Sequence, residues 1–129
     1  LLLTSLMKAR LRGFFKAKKV REYFVYMLEC EGGRLYTGYT VDVKKRLEAH
    51  ISGKGGAKFT RGFRPLGISA LWRVTGGRGA AMKVEAFIKS LDRVEKDKLV
   101  SAPSILEGMI SPKEFHVEII VCDAKEYSL

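Results

Sequence analysis

Between Phe24 and Ile51 the spacing of apolar residues changes from a period of two to a helical one, and the change falls at a single glycine, Gly38. Phe24, Val25, Tyr26, Met27, Leu28 and Cys30 are β-branched, aromatic or apolar. Gly32-Gly33 then supplies residues that tolerate positive φ, and Arg34-Leu35-Tyr36-Thr37 resumes strand character. The pattern predicts an antiparallel hairpin whose second strand Gly38 closes. Tyr26 and Tyr36 are an even number of residues apart around the turn, so ordinary register puts both phenols on one sheet face.

After Gly38, Val43, Leu47 and Ile51 recur at i, i+4 and i+8 and predict one apolar helical stripe, with Thr40 or Asp42 as cap and Gly53 after its end. Arg46 and His50, four apart, are expected on the flank of that stripe, a fixed cation beside a titratable imidazole. Further on, Ile68 to Val74 reads as a third strand ended by Gly76-Gly77. A second helix is expected from about Gly79 to Ser90, with Ala81, Val84, Ile88 and Leu91 as its stripe. Glu85 lies beside that stripe, at ion-pair spacing from Lys89. Asp92 with Glu95 three residues later opens a third, short helix that Pro103 ends.

Tyrosine in a first strand, Tyr-x-Gly closing a second, then arginine and histidine on the next helix resembles the GIY-YIG nuclease family. The first signature here reads Phe24-Val25-Tyr26 and the second Tyr36-Thr37-Gly38, so both tyrosines and the last glycine match while the first glycine does not. Tyr39, where some branches carry lysine, looks more like the small single-domain branch, akin to the catalytic domain of nucleases of branched DNA. The resemblance runs from about Tyr23 to Val100. It implies an α/β (α+β) domain with a small, mostly antiparallel sheet flanked by helices. It also implies metal-dependent phosphodiester hydrolysis by Tyr26, Tyr36, Arg46, His50 and Glu85. The family places a metal-binding glutamate on the helix after the third strand, and Glu85 occupies that place, to hold Mg2+ or Mn2+ with water and phosphate oxygens. Which tyrosine is the base stays open.

Lys plus Arg exceed Asp plus Glu by 24 − 14 = 10 among 129 residues, the footprint of a protein that meets a polyanion. Nucleic acid is the first candidate, and the resemblance implies DNA, branched or structured, as the partner. The basic, glycine-rich stretch from Gly53 to Pro65 is the candidate contact, through Lys54, Lys58, Thr60, Arg61 and Arg64. Within it Phe59 and Phe63 either pack inward or stack on an unpaired base. A non-catalytic module binding DNA or RNA would use the same charge, but it would have no need of the five-residue constellation. No apolar run reaches the ~18 residues of a membrane span, and Leu1-Leu2-Leu3 lacks the flanks of a leader, so a cytoplasmic, nucleoid-associated protein is expected. Cys30 and Cys122, both in apolar strand patterns, are read as buried free thiols.

Three regions are expected. Residues 1–21 hold seven cations and no acid, and form a basic arm or amphipathic helix set against DNA, a membrane surface or the domain itself. Residues 22–103 form the nuclease-like domain. Residues 104–129 form an extension in which Phe115 to Cys122 alternate as one more strand, packing on the domain or on a second subunit as a homodimer. His116 is read as structural.

Overall fold

The computed structural model describes residues 21–55, 58–110 and 117–127, so most of the basic N-terminal arm, together with Phe115 and His116, lies outside the described residues. Strand β1 (Tyr23–Cys30) turns through a short 3-10 segment at Glu31–Gly33 into β2 (Arg34–Thr40). Helix α1 (Val43–Ser52), a short helix α2 (Lys58–Gly62), strand β3 (Pro65–Val74), and helices α3 (Gly77–Ser90) and α4 (Arg93–Ser101) follow. A 3-10 turn at Pro103–Ile105 leads into the single-turn helix α5 (Leu106–Met109). Strand β4 (Ile119–Cys122) and a last 3-10 turn at Ala124–Tyr127 complete the described chain.

The sheet order is β2-β1-β3-β4 and every pairing is antiparallel, so the hairpin read from the sequence forms one half of the sheet and β2 is an edge. Tyr26 sits opposite Gly38, and Leu28 opposite Tyr36, which places both phenols on one face as their even spacing predicts. Strand β3 begins at Pro65, earlier than Ile68, because a first strand position tolerates proline's missing N–H. Its start is tied to the hairpin turn by Glu31 N–H donating to the Arg64 carbonyl (2.9 Å) and Arg64 N–H donating to Glu31 Oε1 (3.1 Å).

Two cores sit on opposite faces of this sheet. On one, Val25, Met27, Ala70, Trp72 and Val74 meet Ala81, Val84 and Ile88 of α3, together with Leu99, Leu106, Ile110 and Ile119. Trp72 Nε1–H donates to the Pro103 carbonyl at 2.9 Å, which satisfies the polar edge of a fully buried ring. On the other face, Tyr26, Leu28, Cys30 and Leu71 meet Val43 and Leu47 of α1, with Phe59 and Phe63 packed against them. Asp42 caps α1 by accepting from Lys45 N–H, Gly53 ends it in the left-handed region, and Asp92 caps α4 by accepting from Glu95 N–H.

The expected stripe of α1 needs one correction. Ile51 is 51% exposed, and His50, expected on the flank, is 1% exposed and takes the inward place. At 3.6 residues per turn, seven residues from Val43 nearly close two turns, whereas eight overshoot by about 80°. Cys30 is buried and Cys122 half-buried, and both are free thiols. No helix among the described residues is long and apolar enough to cross a membrane.

Strand β4 pairs with the chain's own β3, setting Ile119 opposite Val74 and Val121 opposite Trp72. A chain ending at Ile110 loses this cover and bares the β3 edge. Such a truncation should melt several degrees lower and sediment as larger species than the full chain. Unchanged melting and mass would show that β4 contributes nothing to the sheet.

Candidate active site

Tyr26 is 2% exposed, and its ring lies across β2 at Gly38. A Cβ at position 38 would stand 2.5 Å from Tyr26 Oη, 2.7 Å from its Cζ and 3.1 Å from Tyr36 Cε1, so only glycine leaves the phenol this place. The glycine of the Tyr36-Thr37-Gly38 signature is thereby explained by its neighbour across the hairpin.

Helix α1 brings His50 onto the same phenol: Tyr26 Oη and His50 Nε2 are 2.7 Å apart. The other ring nitrogen, Nδ1, is 2.8 Å from Thr60 Oγ1 on α2. With both nitrogens engaged, His50 is not free to ligate a metal. Burial, with the Arg46 cation adding to it, pushes His50 down from 6.5 to about 4, so the imidazole is neutral at physiological pH. A neutral imidazole offers one N–H and one lone pair, so one of its two bonds is donated by the ring and the other accepted. Burial also pushes the Tyr26 phenol up from 10.0 to about 12, with Arg46 opposing the rise and Tyr36 and Glu85 adding to it.

Arg46 lies beside both phenols, which more than offset the cost of its partial burial and raise its pKa further. Its Nη1 donates to the Gly55 carbonyl at 2.7 Å. Gly53 and Gly55, at φ 73° and 75°, turn the chain back so that this carbonyl can reach it. Rings complete the packing: Tyr36 stands edge-on to His50 (5.1 Å between centroids) and stacks on Phe59 (5.9 Å). Phe59 in turn touches Phe63 (5.0 Å), over which the Arg34 guanidinium sits at 3.9 Å. Of the two roles the sequence leaves open for Phe59 and Phe63, inward packing is the one observed.

Glu85 stands on α3, the helix layer on the other face of the sheet, which packs against β1 and β2. Its side chain is 18% exposed and pairs with Lys89 at 3.2 Å, as their spacing suggests, and its charge is felt at Tyr26. Among the described residues no three His, Cys, Asp or Glu side chains converge as metal ligands. The donor set is thus one hard carboxylate, Glu85, paired with Lys89, and a single carboxylate fits a Mg2+ completed by water and phosphate oxygens.

The structure therefore brings Tyr26, Tyr36, Arg46 and His50 together in direct or near contact, with Glu85 close enough to act on Tyr26. Lys54, Lys58, Arg61 and Arg64 are exposed. Thr60, grouped with them in the sequence, is 4% exposed and is committed to His50. That partnership, and the grip of the Gly55 carbonyl on Arg46, left no signal in residue spacing.

Comparison with known protein families matches residues 22–98 to the GIY-YIG catalytic domain. The chain belongs to the GIY-YIG family, a family of nucleases acting on DNA. Among its relatives is the UPF0213 protein BH0048 of Halalkalibacterium halodurans, 47% identical over 79 residues, 61% of this chain and 82% of that one. A UPF0213 protein of Syntrophus aciditrophicus is 47% identical over 77 residues, 60% of this chain and 87% of its own. The solution NMR structure of the UPF0213 protein BH0048 from Bacillus halodurans, 42% identical, covers 70% of this chain and 97% of that one with a TM-score of 0.38. The matched GIY-YIG segment spans β1 through most of α4 and contains all five residues of the constellation.

Two outcomes follow from this geometry. Gly38→Ala should displace the Tyr26 ring and cost about 1–3 kcal/mol in urea denaturation, as overpacking does; a variant as stable as wild type would show that the ring does not lie over Gly38. The second concerns pH. The unfolded imidazole takes a proton near 6.5 and the folded one only near about 4, so between these values the unfolded state binds more protons. Stability should fall as pH drops through that window, by up to roughly 3 kcal/mol. His50→Gln should lose that part of the slope. Parallel stability curves for wild type and variant would contradict a buried neutral His50.

Proposed function

We propose that this protein is a metal-dependent DNA endonuclease that hydrolyses one phosphodiester bond at a time and selects DNA by its structure, such as flaps or junctions. The observation that carries the reading is the 2.7 Å bond between Tyr26 Oη and His50 Nε2, held beside Arg46 and within electrostatic reach of Glu85. A binding module has no use for a buried phenol–imidazole pair set beside an arginine.

In the resting site Tyr26 keeps its proton and His50 is neutral; the step uses the tautomer in which Tyr26 Oη–H donates to Nε2 and Nδ1–H donates to Thr60 Oγ1. A lone pair on Tyr26 is then left for water. As the water attacks phosphorus, Tyr26 accepts its proton and passes its own to His50, so the phenol never has to stand as an isolated phenolate. His50 is a weak base in the resting protein because burial and Arg46 oppose its charge. A bound phosphate offsets Arg46 and makes the imidazole more basic when substrate is in place. Arg46, immobilised through Gly55, meets charge developing on the phosphoryl oxygens without reorganising. Tyr36 packs against His50 and supplies a second hydrogen-bonding group.

Glu85 is the residue to hold Mg2+ or Mn2+. When bound, the ion supplies Lewis-acid polarisation of the phosphate and stabilises the departing 3′ oxygen. Lys54, Lys58, Arg61 and Arg64, all exposed, are assigned to the DNA backbone, and Thr60 to holding His50. Such an activity belongs to DNA repair or recombination.

Labelled single-stranded, duplex, flap and four-way-junction DNA, incubated with and without Mg2+, tests this reading. Cleavage should require the metal and favour branched forms. Glu85→Gln should abolish it while leaving fold and most DNA affinity intact, since affinity comes chiefly from phosphate contacts. Arg46→Ala should lower turnover by ~10²–10³ with a smaller loss of binding. Wild-type cleavage by the Glu85 variant would remove Glu85 from the site, and no cleavage of any substrate by the wild type would overturn the nuclease reading.

A further inference from the structure

A second aromatic and arginine cluster lies on the opposite face of the hairpin from Tyr26. Tyr39, next to Gly38, points to the face that carries α3, and its ring meets that of Tyr23 at 6.2 Å between centroids and 50°. Both rings are half-buried against the core, so the Tyr39 hydroxyl is held on a rigid base. Arg78, in the first turn of α3, donates Nε–H to that hydroxyl at 3.2 Å. The guanidinium is exposed, and among the described residues no carboxylate is paired with it.

The tie uses Nε alone and restrains the direction of the group, which leaves both terminal nitrogens to form a fork. The position matters as much as the geometry. Arg78 and Glu85 are seven residues apart on α3 and so share one stripe, separated by about 10 Å along the helix axis. Successive phosphates of one strand advance ~3.4 Å along a duplex, so a strand that runs along α3 with its scissile phosphate at Glu85 meets Arg78 within about three nucleotide steps. Arg46, on α1, approaches the same β2 edge from the other face of the sheet.

We propose that Arg78, oriented by Tyr39, is a phosphate-binding residue for the cleaved strand, gripping its backbone a few nucleotides from the scissile bond. The assignment rests on the nuclease reading and extends it with a site on the opposite face from the basic loop. Arg78 contacts no reacting atom, so its effect falls on binding and register. Tyr39 is its positioning residue.

The test is DNA affinity of the full-length protein by fluorescence anisotropy in EDTA, across a KCl series, with fluorescein-labelled flap DNA. Arg78→Ala should weaken binding about tenfold, as loss of a charge-assisted hydrogen bond does, and lower the slope of log affinity against log salt by about 0.9. Arg78→Lys should restore the slope but not the full affinity, because lysine keeps the charge and loses the fork. Tyr39→Phe should weaken binding by a few-fold at unchanged slope, since the charge remains. In Mg2+, Arg78→Ala should raise KM more than it lowers kcat. An Arg78→Ala protein that folds and binds with wild-type affinity and slope would overturn the proposal, leaving the Arg78–Tyr39 bond as a tie within the fold. Because binding is read without turnover, a wild type that binds but never cuts defeats only the hydrolytic reading. A wild type that binds no DNA defeats both.

Discussion

The hydrogen bond between Tyr26 and His50 makes demands on almost every element around it. Both groups are buried, and a buried polar group without a partner costs about 1–3 kcal/mol, so each must be satisfied at every end. His50 solves this by using both nitrogens, one on Tyr26 and one on Thr60. Thr60 sits on a helix of five residues, too short to be stable by itself, and the stacked rings of Tyr36, Phe59 and Phe63 hold that helix against the hairpin. Gly38 completes the set by leaving the space in which the Tyr26 ring lies. The pair is thus the common reason for a glycine in β2, an inward histidine on α1 and an aromatic contact chain along α2.

The sheet edge gives the pair access to charge. Strand β2 is the outermost strand, with α1 covering one face of the hairpin and α3 the other. Arg46 comes from the first of these layers and Glu85 from the second. Each is carried on a helix whose apolar stripe fixes its rotation, so the opposite charges are set by core packing and not by loop conformation. The loop that carries exposed Lys54, Lys58, Arg61 and Arg64 adds four cations beside Tyr36 of β2, against which its Phe59 stacks.

Much of this was legible in the sequence because it rests on periodicity. The hairpin, the common face of Tyr26 and Tyr36, the stripe of α3, Val43 and Leu47 of the α1 stripe and the capping Asp92 follow from spacing and residue type, and Asp42 is one of the two caps that the spacing offers for α1. The place of His50 was misread because an isoleucine at position 51 offers a more apolar claimant, although position 50, seven residues from Val43, lies nearer the inward face, where the bond to Tyr26 satisfies the imidazole. Thr60 was missed for a related reason: a threonine in a glycine-rich basic stretch has the same local signature whether it faces phosphate or a buried histidine. The link between Arg78 and Tyr39 spans 39 positions and joins two elements, a contact no local pattern encodes.

The central claim is that the Tyr26–His50 pair takes the proton from the attacking water. Tyr26→Phe removes one oxygen while keeping the ring over Gly38, so single-turnover cleavage of a flap DNA in Mg2+ by this variant tests it most directly. The account predicts a rate lower by ~10²–10⁴, the usual worth of a positioned general base, with DNA binding unchanged. Cleavage within a few-fold of wild type would contradict it and leave the buried pair as a structural element of the fold.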